Sequence, residues 1–107
     1  RKTITTSYTI IDLNNESSWN FRLKTNLTSS PVVYFSNAKE GDEIFVVNEP
    51  GSHPIGLKAA YTSGSADAQI LEPKEGSMLR CIGVDNDYDY PVYAVVSNIW
   101  LPEHLKP

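Results

Sequence analysis

The chain has 107 residues, of which 40% are hydrophobic and 10% aromatic, a composition typical of one folded domain and not of a disordered tail. Nine basic residues stand against thirteen acidic ones, for a formal net charge of −4. Because the cations are scattered, this balance argues against binding along a nucleic-acid backbone. The apolar runs are far shorter than the roughly 20 residues that a membrane-spanning helix needs, so no membrane span is expected.

The start of the chain predicts β-structure. Residues 3–13 are rich in β-branched and aromatic types, which favour strands. Residues 14–18 form a polar turn, and residues 19–24 then alternate apolar with polar side chains, as in a strand with one wet face. The first residue is Arg1, not Met, which suggests a fragment of a longer chain or a processed product.

Two runs of four consecutive apolar residues follow, at Val32–Phe35 and Ile44–Val47. Four such residues cannot all face one core. Either both faces of these strands are covered within the sandwich, or one face contacts another chain. A domain of this size has few elements with which to cover both faces, so the sequence favours a subunit contact. The candidate interface residues are Val33, Phe35, Phe45, Val46 and Val47. On this interpretation Val46→Asp should produce monomers or insoluble chain.

Two copies of Lys-Glu-Gly, at residues 39–41 and 74–76, each precede an apolar run. Glycine tolerates the positive φ that a turn before a strand often needs, so both copies predict tight reversals. Further strands are expected over residues 55–61, 67–71, 78–84 and 92–100. With about eight short strands and no helix, residues 1–107 are expected to form one all-β domain, a jelly-roll-like antiparallel sandwich.

The loop at residues 85–91 is acidic and rich in tyrosine. Asp85, Asp87 and Asp89 occupy alternate positions, as in the first half of a calcium loop, whose hard cation binds several oxygens. However, Tyr90 replaces the glycine expected at the sixth position, and Val96 replaces the glutamate expected at the twelfth. The pattern is therefore not an EF-hand, and a solvated acidic loop is favoured over a metal site.

The same loop also offers a surface for a glycan or a receptor. Tyr88 and Tyr90 carry amphipathic rings that suit exposed recognition sites, and the neighbouring aspartates can accept hydrogen bonds from hydroxyl groups. Residues 48–54, a Pro-Gly turn that includes His53, are the second candidate contact loop. Trp19 and Trp100 are more simply explained as core residues.

Catalysis has little support in the sequence. His53 and His104 are the only histidines, and with Cys81 or a serine they could supply a base and a nucleophile. Cys81, however, falls inside a predicted strand, where thiols are commonly buried and inert. The chain contains no Gly-x-Ser-x-Gly, His-x-x-x-His or Cys-x-x-Cys motif. We therefore expect neither enzyme activity nor a cofactor.

Taken together, these segments resemble the small β-domains of tail-fibre and appendage proteins of tailed bacteriophages. The resemblance is carried by residues Ser7–Leu13, Pro31–Phe35, Glu40–Asn48, Ile82–Val84 and Tyr93–Val96. It lies in a Gly-Asp-x-Ile-x-Val turn and strand and in a closing Tyr-x-Val-Val strand. It is a pattern of turns and strands, not a chemical signature.

The resemblance implies a parallel homotrimer, in which apolar sheet faces meet near a three-fold axis and outer loops bind a receptor or promote assembly. It also implies a virion protein that is assembled in the cytoplasm of the host, which fits the absence of a possible internal disulfide. Two other classes remain open. One is a monomeric carbohydrate-binding module of a larger enzyme, and the other is a trimeric protein that decorates a capsid.

Overall fold

The computed structural model describes residues 1–60, 68–84 and 90–96. These residues form nine β-strands and one 3-10 turn, so the all-β prediction is confirmed. The strands are β1 (Lys2–Ile4), β2 (Tyr8–Asp12), β3 (Asn20–Thr25), β4 (Val32–Ser36), β5 (Glu43–Asn48), β6 (Ile55–Lys58), β7 (Ala68–Leu71), β8 (Gly76–Val84) and β9 (Pro91–Val96). The 3-10 turn covers Leu13–Asn15. Within the described ranges, no helix is long and apolar enough to cross a bilayer.

The strands form two sheets that pack on each other. The five-stranded sheet has the order β1-β3-β5-β8-β9, and the four-stranded sheet has the order β2-β4-β6-β7. From β1 to β6 the chain alternates between the sheets, and each new strand pairs parallel with the previous strand of its own sheet. The first half of the domain is therefore a short two-sheet coil, which antiparallel strands then close.

The prediction of an antiparallel sandwich is wrong for this coil, and a jelly-roll topology is not confirmed. Parallel neighbours cannot be joined by a hairpin and need a crossover. Here the crossover is a strand of the opposite sheet instead of a helix. For the same reason the expected strand over residues 3–13 is divided into β1 and β2, because residues 5–7 carry the chain from one sheet to the other.

The core lies between the two sheets. The inward side chains of β3 meet those of β4, where the rings of Phe21 and Phe35 lie 5.0 Å apart. Alternation along each strand brings every second apolar residue to this layer. Its fully buried members include Leu23, Val33, Ile44, Val46, Ile55, Leu57, Leu71 and Leu79. Trp19 packs partly buried against the same core, as expected, and its indole donates to the Leu13 carbonyl.

Strand β4 is covered on both faces within one chain. Phe35 faces the core, whereas Tyr34, on the opposite side of the strand, is also fully buried. Its ring meets Tyr93 of β9 edge to face, with centroids 6.0 Å apart, and its hydroxyl donates to the Pro91 carbonyl. The Tyr93 hydroxyl in turn donates to the Phe35 carbonyl. Thus β9, an edge strand of the five-stranded sheet, contacts the second face of β4 at Tyr34.

Burial of Tyr93 has an electrostatic consequence. Desolvation raises the pKa of its hydroxyl well above the usual tyrosine range, and the nearby Tyr34, Cys81 and Asp42 raise it further. The group is therefore held in its neutral form, able to donate its hydrogen bond, at any physiological pH.

The two Lys-Glu-Gly copies overlap similar turns, but in different alignments. The first turn spans residues 39–42, and its third residue, Gly41, has φ 91°. The second spans residues 72–75, and its third residue is Lys74, with φ 72°. In each turn the last residue is acidic, and its carboxylate accepts from the first backbone N–H at 2.7 Å. The prediction that a glycine supplies positive φ holds only for the first turn.

Candidate functional site: the open face of the five-stranded sheet

The candidate site is the outer side of the five-stranded sheet over its last three strands, which we call the open face. Alternation along β5, β8 and β9 directs every second side chain away from the core. Its members are Glu43, Phe45, Val47, Met78, Arg80, Ile82, Val92 and Ala94. Six of the eight are apolar, and all are exposed or half-buried.

Strand pairing aligns these side chains in rows. Phe45 lies directly opposite Met78, and 38% of its surface remains exposed. In the next row Arg80 lies between Glu43 on β5 and Ala94 on β9. Opposite charges directly across a strand pair attract each other. The open face thus combines an apolar row with a charged row that is close to neutral.

A bulge in β8 shapes one end of the open face. Cys81 pairs with Tyr93 and Gly83 pairs with Val92, so Ile82 is an extra residue on the β8 side. A bulge re-aims side chains and increases the local twist. Here it leaves Ile82 55% exposed, the most exposed large apolar side chain in the described part of the chain.

A charged cluster borders the open face on the β3 side. Glu49, at the end of β5, is buried, and its carboxylate forms ion pairs with Arg22 at 2.7 Å and with Arg1 at 2.6 Å. Both arginines remain largely exposed, while the Glu49 side chain is 4% exposed. The Glu49 backbone N–H donates to the Leu23 carbonyl, which fixes the carboxylate between them. This border is therefore polar, in contrast to the apolar centre.

The five predicted interface residues separate into two groups. Val33, Phe35 and Val46 lie in the core of a single chain and are fully buried, so a contact between chains has to use other side chains. Phe45 and Val47 lie on the open face, next to each other on the same side of β5. The prediction that they contact another chain stays a prediction.

The loop that contains His53 is held firmly by its backbone. The His53 N–H donates to the Thr25 carbonyl at 3.1 Å, and the His53 carbonyl accepts from the side chains of Asn48 and Ser52. Asn48 is buried and also donates to the Leu71 carbonyl. The exposed imidazole is thus presented from a fixed backbone, as a contact residue would be.

Most of the acidic loop predicted as a contact site lies outside the described residues. Asp85, Asp87, Tyr88 and Asp89 lie outside the described residues, and so does the candidate calcium site that they would form. Tyr90, at the start of the next described segment, is 38% exposed. Among the residues that are described, no group of three or more His, Cys, Asp or Glu side chains could hold a metal ion.

The thiol considered as a nucleophile is inaccessible. Cys81 is 1% exposed, and its Sγ donates to the Gly83 carbonyl within the bulge. His53 is exposed on its loop, and His104 lies outside the described residues. Cys81 therefore acts as a small core side chain.

Sequence reasoning missed Met78 and Ile82 as members of the open face. The alternation Met78-Leu79-Arg80-Cys81 was available as a signal, because it places Leu79 and Cys81 on one side and Met78 with Arg80 on the other. The bulge that exposes Ile82 leaves no comparable pattern, since it depends on how β8 pairs with β9.

In comparisons with protein-family models, curated proteins and solved structures, none matches this chain. The resemblance to phage fibre domains therefore rests on the quoted sequence segments alone.

Proposed function

We propose that this protein is a non-enzymatic structural module that associates with further copies of itself through the open face. The observation that carries the proposal is the exposed apolar row of Phe45 and Met78, extended by Val47 and Ala94 and flanked by Ile82. Single exposed apolar residues are ordinary, but contiguous ones on a flat sheet are typical of an interaction surface.

The composition of the face favours another copy of the same chain as its partner. Interfaces between identical subunits are more apolar at their centre than the rest of the surface and are depleted in charge there. The charges on the open face, Glu43 and Arg80, have opposite signs and can each pair with the other kind on a second copy. Charges of both signs on one face therefore favour contact between copies of that face around a symmetry axis.

We further propose that the assembly is a homotrimer of the kind found in bacteriophage tail fibres or appendages, with a role in fibre assembly or host attachment. This part is supported by the sequence resemblance, which covers β2, β4 and β5. The rigidly held loop at residues 48–54, with exposed His53, is the described candidate for contact with a host-surface glycan. The virion is then the place where the protein acts.

Light scattering of two matched variants tests the proposal. At low protein concentration we expect wild-type protein to have three times the 11.9 kDa mass of one chain, and Phe45→Asp to have the mass of one chain while remaining folded. Ile70→Asp is the control, because Ile70 is similarly exposed on the outer face of the other sheet. The variant first suggested by the sequence, Val46→Asp, would place a charge in the core and unfold the chain.

Two outcomes would contradict the proposal. A wild-type chain that is monomeric at every concentration would favour a monomeric glycan-binding module, which a glycan array would then test. A trimer that survives Phe45→Asp would remove the open face from the interface.

A further inference from the structure

The edges of the two sheets differ in how well they are protected from pairing with other chains. In the five-stranded sheet, edge strand β1 has only three residues and carries Lys2, and edge strand β9 begins with Pro91. Short edges, lysine and proline are devices that block strand addition. In the four-stranded sheet, edge strand β2 has five residues, Tyr8–Asp12, without lysine or proline.

The hydrogen-bond phase of β2 shows which backbone groups face outward. The Val32 N–H donates to the Ser7 carbonyl, so that carbonyl points toward β4. Carbonyls alternate in direction along a strand, and therefore the backbone groups of Tyr8, Ile10 and Asp12 point away from β4, to the edge with which no strand of the described ranges pairs. A second observation agrees: the Tyr8 carbonyl accepts from the Thr6 hydroxyl at 3.0 Å, away from β4.

We propose that β2 pairs antiparallel with β2 of a second copy, about a two-fold axis through Ile10. Ile10 is the middle residue of the strand, and its N–H and C=O both face the free edge. Two such residues can therefore exchange both backbone hydrogen bonds in a hydrogen-bonded pair. Two residues to either side, Tyr8 lies opposite Asp12 of the second copy in the same phase, so the paired region extends over the whole length of β2.

The side chains of β2 also favour a two-fold axis through Ile10. Ile10 is 48% exposed on the outer face of the sheet, and the two-fold pairing places it beside Ile10 of the second copy, which covers both. Asp12 lies at the end of the ladder, so the two aspartates stay at opposite ends. The result joins two four-stranded sheets into one of eight strands, the isologous geometry that is commonest among homodimers.

A second copy fits this edge better than an unrelated strand, because the phase and the length of β2 are both symmetric about Ile10. The contact does not use the open face and goes beyond the proposed function. If both contacts form, three-fold and two-fold interfaces together give an assembly of six chains. Strand addition at an edge gains its affinity from main-chain hydrogen bonds, and amide exchange detects these directly.

The experiment uses the Phe45→Asp chain, so that any open-face contact is removed. Its mass is measured by light scattering over a range of concentrations, beside chains that also carry Ile10→Lys or, as a control, Ile70→Lys on the other edge strand. Amide exchange is followed by NMR at Ile10 and at Ile11, whose N–H faces β4. Ile11 should be protected at every concentration in all chains that fold.

We expect a mass that approaches twice 11.9 kDa at high concentration, with Ile10 protected there and exchanging freely after dilution. Ile10→Lys should return the mass to one chain while Ile11 stays protected, and Ile70→Lys should change neither. Free exchange of Ile10 at every concentration would overturn the proposal. So would a dimer that survives Ile10→Lys.

Discussion

Strands β4 and β5 contain similar apolar runs, but the two strands differ in how many of these side chains are buried. Each contains four apolar residues in a row, Val32–Phe35 in β4 and Ile44–Val47 in β5. In β4 all four are buried within one chain. In β5 only every second one is buried, and Phe45 with Val47 faces outward. A continuous apolar run therefore shows that both faces of a strand are apolar. It does not show whether the second face is covered within the same chain.

The difference comes from contacts distant in sequence. On the second face of β4, Tyr34 packs against Tyr93, which follows β4 by more than half the chain and donates to the Phe35 carbonyl. On the second face of β5, Phe45 lies between Asn20 and Met78 of its own sheet and is still 38% exposed. Whether the second face of such a run is buried within the chain therefore depends on distant strands such as β9, whose pairing cannot be recognised from the residues near either run.

The largest expected effect compares Phe35 with Phe45, one phenylalanine from each run. Phe35→Ala should lower the free energy of unfolding by about 3–5 kcal/mol, because it removes a fully buried ring that packs on Phe21. Phe45→Ala should change the free energy of unfolding of one chain by less than about 0.5 kcal/mol. Urea denaturation at a concentration where the protein is monomeric measures both.

Equal losses for the two variants would contradict the comparison, since they would mean that the outer face of β5 is covered within one chain. Val47→Ala is a useful third variant. It lies beside Phe45 on the open face and should follow Phe45→Ala, not Phe35→Ala.

Local patterns in the sequence predicted the strands well and their neighbours poorly. The alternation at residues 19–24 corresponds to β3, and the apolar runs correspond to β4 and β5. Parallel and antiparallel neighbours require the same alternation of side chains, so the parallel coil from β1 to β6 could not be distinguished from a jelly roll. The register that aligns Tyr8, Val32 and Gly56 is set by packing.

The candidate site was predictable to the extent that it depends on alternation. Phe45 and Val47 were identified from their run, although the neighbours named with them are in the core. Ile82 is exposed because of a bulge in β8. Ile10 lies on an edge strand because, among the described strands, only β4 pairs with β2. Both features depend on the order of strands, which residue patterns do not encode.

The pH dependence of stability tests whether Tyr93 is buried against β4. The pKa of Tyr93 is raised by burial above the value of about 10 that tyrosine has in an unfolded chain. Above that pH the unfolded chain loses this proton and the folded chain keeps it. The contribution to stability is therefore constant below pH of about 10 and falls above it, by up to about 1.4 kcal/mol for each pH unit.

Tyr93→Phe is the control variant for this measurement. At neutral pH it should be less stable than wild type by about 1 kcal/mol, because the hydrogen bond to the Phe35 carbonyl is lost. Urea denaturation from pH 8 to pH 11 should show the two stability curves approaching each other as the pH rises. Curves that stay parallel would mean that Tyr93 is not buried over β4.

The smallest expected effects concern the two turns that lead into the strands of the open face. Gly41 before β5 and Lys74 before β8 both have positive φ, although only the first is the residue that a sequence pattern would select. Gly41→Ala should lower the free energy of unfolding by about 1 kcal/mol, because a Cβ disfavours this conformation and nothing lies within 4 Å to compensate.

Lys74→Gly should relieve the same strain in the folded chain, which raises the free energy of unfolding. It also adds conformational freedom to the unfolded chain, which lowers the free energy of unfolding. These terms nearly cancel, so the net change should be within about 0.5 kcal/mol, and the Lys74 N–H still donates to the Asn48 carbonyl. Thermal unfolding of the two variants beside wild type measures the difference. If Lys74→Gly were as destabilising as Gly41→Ala, the third position of the second turn would not need positive φ. The glycine of the second Lys-Glu-Gly copy would then again be the candidate for that role.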